Sequence, residues 1–216
     1  MNVRRIAVAA GLLFAASICQ AADRFPVLKP EQLTPEQAKV VQSLIASPRG
    51  GGAEATPENM AKMIARGPFN AYLRSPEVGL HIVKLAEQVR FHSSLPPRIN
   101  EFAILITARH WNSAYEWFAH EPLALKGGLD PKVAAQLAQN TKPRGMKEEE
   151  AAVYDFCIQL HRKHKVTDAA YKRVLGLFGE QGVMDLIAVS GLYDLVSMTL
   201  NVAEVPVPAG QKNPFK

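Results

Sequence analysis

A small polar residue standing directly before a proline recurs along this chain, as Thr34-Pro35, Thr56-Pro57, Ser75-Pro76 and Asp130-Pro131. Each pair is a helix-opening signal. The side-chain oxygen can accept a backbone N–H of the first turn, and proline forfeits nothing there because its N–H would have had no partner. Glu36, Glu58 and Glu77 follow the first three, where negative charge suits the helix dipole. Thr167-Asp168 opens a further helix. Between these points apolar residues return at helical spacing, as Val78, Ile82, Leu85, Ala86 and Val89 do after Ser75. No stretch alternates as a strand would, and no repeat of fixed period is present. The chain is therefore read as all-α.

The punctuation predicts a helix over 35–46, a second from Thr56 to about Arg66, a short turn over 69–73, and a third opening at Ser75. A central pair follows, over about 97–110 and 113–126, the latter stopped by Gly127-Gly128. Further helices are expected from Asp130 to about Gln139, over 148–164, and from Thr167 to Phe178-Gly179. The last, from Gly182 to about Asn201, is apolar on most of its circumference, which predicts burial at the domain centre or in an oligomer interface. Ser47-Pro48-Arg49-Gly50-Gly51-Gly52 reads as a flexible break.

The first residues differ in kind. Arg4 and Arg5 precede an apolar run over 6–18, and Cys19-Gln20-Ala21-Ala22 supplies a small-residue exit. That layout predicts a secretory signal peptide over 1–21, cleaved after Ala21, and a periplasmic or secreted product. No later stretch reads as long and apolar enough to cross a bilayer, so no membrane attachment is expected after cleavage. The mature chain divides into an extension over 22–55 with one helix, a helical domain over 56–208 and a tail over 209–216. Cleavage leaves Cys157 alone, which excludes an intrachain disulfide and suits a small buried hydrophobe between Phe156 and Ile158. The net charge of +5 loses Arg4 and Arg5, and the remaining cations are dispersed. The one cluster, over 159–165, ends a helix, so no nucleic-acid partner is expected. His161 and His164 have metal-ligand spacing but lie among Lys and Arg, and no metal is expected there.

Ser113, Glu116 and His120 stand at i, i+3 and i+7, which places them on one helix face. A carboxylate and an imidazole among apolar neighbours are the ingredients of acid/base chemistry on a small molecule. Ser113 reads better as a helix cap than as a nucleophile. Arg98 and Glu101, at i and i+3, suit either a helix-start ion pair or a site. Trp111, Tyr115 and Trp117 suit either a core or a pocket wall. Tyr193 and Asn201, two turns apart on the last helix, read as packing or subunit-contact residues.

The segments Leu95-Pro96-Pro97-Arg98-Ile99-Asn100-Glu101, Asn112-Ser113-Ala114-Tyr115-Glu116-Trp117-Phe118-Ala119-His120 and Lys126-Gly127-Gly128-Leu129-Asp130 carry a resemblance. Gly191-Leu192-Tyr193, Leu200-Asn201 and Val205-Pro206-Val207-Pro208 extend it. In order and spacing, over roughly residues 60–208, the chain resembles the carboxymuconolactone decarboxylase family, which includes the AhpD-like peroxidase-reductase proteins. The resemblance implies a compact AhpD-like helical bundle that self-associates as a trimer or hexamer. It implies acid/base positions at Glu101 and His120 with Arg98 near the same site, and no metal or organic cofactor. On the residues themselves, His120 is expected to donate or relay a proton, Glu101 or Glu116 to orient it, and Arg98 to neutralise a substrate carboxylate. The family's redox branch carries a Cys-x-x-Cys pair where this chain has Ser113 and Glu116, and neither side chain can run thiol–disulfide exchange. The decarboxylase branch is the nearer likeness. The expected function is decarboxylation, or a related lyase or isomerase step, on a small carboxylated lactone or keto acid. A peroxide-defence oxidoreductase and a non-catalytic binding or assembly protein are the alternatives.

Overall fold

The computed structural model describes residues 24–215. The expected signal segment, 1–21, lies outside them. Among the described residues there are nine α-helices and no strand: α1 (Pro35–Ala46), α2 (Pro57–Ile64), α3 (Phe69–Tyr72), α4 (Pro76–Phe91), α5 (Pro97–His110), α6 (Ala114–Lys126), α7 (Pro131–Ala138), α8 (Glu148–Lys163) and α9 (Asp168–Val202). All-α holds, and the proline-marked openings fall where the sequence places them.

Capping chemistry is explicit at α1. Thr34 Oγ1 accepts from the Gln37 N–H at 3.3 Å, and Gln37 Oε1 accepts from the Thr34 N–H at 2.9 Å. Such a reciprocal box contributes about 1 kcal/mol. Ser113 departs from its expected role. It holds the N-cap position of α6, but its hydroxyl makes no capping bond and is buried without a hydrogen-bond partner among the described residues.

Two apolar clusters organise the packing. In the smaller, α1 lays Val40, Val41, Leu44 and Ile45 against Met63, Ile64, Phe69, Tyr72 and Val83 of α2, α3 and α4. The larger surrounds α5, which is buried without interruption from Ile99 to Ala108 and is wrapped by α6, α8, α9 and α7. The central place expected for the last helix therefore falls to α5. In α9, Leu186, Val189, Leu192, Tyr193, Val196 and Leu200 are buried, whereas Met184, Ile187, Met198 and Val202 stay exposed.

The sequence expectation that no late segment is long and apolar enough to span a membrane is corrected by α9, whose length and composition suffice. Half of its most apolar window is buried within the protein, against neighbours that include α5, α8 and α4. Gly179 interrupts this helix with φ +68° and ψ −178°, a conformation only glycine adopts without strain, at the point where two separate helices were expected.

Candidate active site

Glu101 sits on the buried stretch of α5, where an unpaired carboxylate would be costly. Its partners come from two other helices. Glu101 Oε2 lies 2.6 Å from His120 Nδ1, and Arg90 Nε of α4 lies 3.9 Å from Glu101 Oε1. One turn before His120 on α6, Glu116 brings Oε1 to 3.0 Å from His120 Nε2. The imidazole is thus clasped between two carboxylates, and His120 and Glu116 are each only 3% exposed. A ring facing an acceptor at both nitrogens donates from both, which is the imidazolium form. Burial alone would push the His120 pKa down; the Glu116 charge and the hydrogen bonds to both carboxylates outweigh it, and the net displacement is upward.

His120 and Glu116 form part of the wall of a cavity of about 280 Å³. Its other walls are apolar side chains such as Leu44, Val83, Leu192 and Val196, three tyrosines, and the guanidiniums of Arg49, Arg66 and Arg90. Arg49 arrives from the loop after α1. Gly50 permits that approach: a Cβ there would lie 2.2 Å from the Ile45 carbonyl oxygen. The Arg49 guanidinium rests over Phe69 and Phe91, 5.4 and 5.9 Å from the ring centres, and makes no ion pair among the described residues. Burial, reinforced by the Arg90 charge, lowers its pKa. With three guanidiniums and an imidazolium against two carboxylates, the pocket carries excess positive charge and suits an anion. Tyr193 meets the His120 ring edge-on at 5.0 Å. Burial raises the pKa of both Tyr193 and Tyr72, so each keeps its hydroxyl proton as a donor.

Of the residues singled out in the sequence, Glu101, Glu116, His120 and Tyr115 are brought together here. The Tyr115 oxygen also accepts from the Gly67 N–H at 2.9 Å, which ties α6 to the α2–α3 corner. Arg98 is not at this cavity. Its guanidinium is engaged by Glu149 and Glu150 of α8, so neither the helix-start pair with Glu101 nor a place beside His120 materialises. The two tryptophans, which suited either a core or a pocket wall, do not line this cavity. Trp117 is fully buried in the core against Phe215, and Trp111 donates its Nε1–H to Asp194 on a different side of α5.

Sequence reasoning missed Arg49, Arg90, Tyr72 and Tyr193. Arg49 lay in a segment whose glycines read only as flexibility. Tyr193 was assigned to packing or subunit contact, whereas its ring touches His120. A signal for Arg90 did exist: an arginine in the last turn of an amphipathic helix, directly after Val89 and one turn after Ala86, although the structure leaves Val78 and Leu85 of that apolar stripe exposed.

Chemically, the arrangement couples a proton held on a buried imidazolium to a carboxylate in the cavity wall, beside cations that can neutralise a bound anion. Both imidazole nitrogens are already matched, and among the described residues no three donors are placed to hold a metal ion. Comparison of the chain with protein-family models, with curated proteins and with solved structures finds no match.

Proposed function

We propose that this protein performs cofactor-independent acid/base chemistry on a small carboxylated lactone or keto acid, with decarboxylation as the leading step and a lyase or isomerase step as its close variants. One observation carries the reading: a charged imidazole held by Glu101 and Glu116 faces a small cavity that also presents Arg49 and Arg90. The carboxylate-binding role assigned by resemblance to Arg98 passes to these two arginines. In a decarboxylation the C–C bonding pair moves into the conjugated substrate and carbon dioxide departs. The resulting carbanion then takes a proton from His120 by way of Glu116, which meets the ring at Nε2 and lines the cavity, and His120 regains one from water. Glu101 fixes the ring and stabilises its cation. The resemblance to the carboxymuconolactone decarboxylase family supports the reaction class.

The test is deuterium incorporation and carbon dioxide release from a panel of carboxylated lactones and 2-oxo acids in D₂O, followed by NMR. Wild-type protein is expected to exchange and release; His120→Asn is expected to do neither while keeping its helical spectrum. Equal rates in the two proteins would remove the proposal. Self-association as a trimer or hexamer and export across a membrane belong to the same proposal. Exposed Met184, Ile187 and Met198 on α9, with Val78 and Leu85 on α4, support association, and analytical ultracentrifugation tests it.

A further inference from the structure

A second cavity, of about 420 Å³, opens between the C-terminal ends of α5, α7 and α8. Its polar wall is built from Arg109, His110, Asn112, Asn140 and Arg162, and Ile106, Leu137 and Ile158 supply an apolar floor. No carboxylate lines it, and neither Arg109 nor Arg162 makes an ion pair among the described residues. Each guanidinium is instead aimed by an asparagine oxygen. Arg109 donates to Asn112 Oδ1, and Arg162 donates to Asn140 Oδ1 at 3.1 Å. Both asparagines sit at positive φ, 50° and 57°, a backbone state that asparagine tolerates better than most residues and that fixes where its amide points. These bonds use a fraction of the five donors each arginine carries. Arg109 Nε is buried with no acceptor among the described residues, while its guanidinium lies over Phe215, 4.8 Å from the ring centre. Arg162 ends α8, where a cation suits the dipole, yet it reaches across to the end of α7.

We propose that this cavity binds a small organic oxyanion, a carboxylate or phosphate head held by Arg109 and Arg162 with a short apolar body against Ile106, Leu137 and Ile158. Two unpaired, prearranged guanidiniums match the planar or tetrahedral oxygens of such a head. Inorganic phosphate alone is smaller than the space.

The experiment titrates benzoate, phenyl phosphate and inorganic phosphate into the isotopically labelled full chain and follows backbone and side-chain amide resonances. Saturable shifts are expected at Asn112, Asn140 and His110, tighter for the two aromatic probes than for phosphate. Whichever aromatic probe binds tighter identifies the head group. Arg162→Gln, an exposed position, should weaken that binding roughly tenfold or more, and Arg49→Gln should leave it unchanged. Absence of saturation at millimolar probe, shifts confined to the His120 cavity, or equal affinity in Arg162→Gln would each overturn the proposal.

Discussion

Two histidines are buried against the same central helix, and their surroundings drive them in opposite directions. His120 lies between two carboxylates and gains affinity for its proton. His161, on α8, is 6% exposed and meets Thr107 Oγ1 at 3.0 Å through Nε2, while Asp194 stands 3.6 Å from Nδ1. Thr107 donates its hydroxyl hydrogen bond to the Ala103 carbonyl, so its oxygen accepts from His161. His110 stacks on the ring at 4.8 Å. Burial, with His110 adding to it against Asp194, pulls the His161 pKa down. Residue type and depth are nearly equal in the two cases. The second carboxylate decides, because one distant acid does not repay desolvation of an imidazolium and two adjacent ones do.

The contrast breaks most visibly in turnover. His120→Asn should lower substrate exchange by about two to four orders of magnitude, the range of general acid/base catalysis. His161→Asn should change it little. Comparable losses in the two variants, measured by initial rates, would erase the distinction.

Stability comes next. Glu101→Ala exposes the imidazolium to one acid in a dry site and should cost about 3–5 kcal/mol in urea denaturation. Asp194→Ala, at a third-exposed carboxylate, should cost about 1–2 kcal/mol, chiefly the Trp111 hydrogen bond.

The pH dependence sharpens the comparison with opposite signs. A raised His120 pKa gives stability that is full below the unfolded value of about 6.5 and is lost as pH rises through the folded pKa. The lowered His161 pKa acts the other way: stability falls as pH drops from about 6.5 toward its folded pKa. Denaturation curves across this range should lose their alkaline slope in His120→Gln and part of their acid slope in His161→Gln.

The smallest effect is a negative one. Cys157 is fully buried beside Ser190, and burial pushes its thiol up to about 12. In the chain cleaved after Ala21 as proposed, which keeps Cys157 and loses Cys19, an alkylating reagent at neutral pH should leave the native protein's mass unchanged, while urea-unfolded protein labels once at Cys157.

Much of the helical plan was legible because its signals are local. A cap and a proline act within one turn, and Glu116 and His120 meet because i and i+4 share a face. Glu101 reaches His120 across two helices, and nothing in its own spacing shows that; the family resemblance singled it out. Arg98 misled for the converse reason. Its separation from Glu101 permits a local pair, but Glu149 and Glu150 on a distant segment compete more strongly. Trp117 followed the ordinary preference of large apolar side chains for the interior, whereas Trp111, half-buried, is held by its hydrogen bond to Asp194. The place of Arg49 in the cavity depends on how α1 and its loop fold back over α4, a tertiary event with no periodic trace.

That fold-back separates two tasks. The proton-handling trio is carried by α5 and α6, whereas Arg49 is borne by a glycine-rich strap from the preceding extension. Under the proposed function, rewriting the strap would retune which guest is admitted, and because Arg49 acts electrostatically on Glu116 it would also change the charge facing that carboxylate. Admission and proton handling are thus carried by separate segments yet joined through one guanidinium.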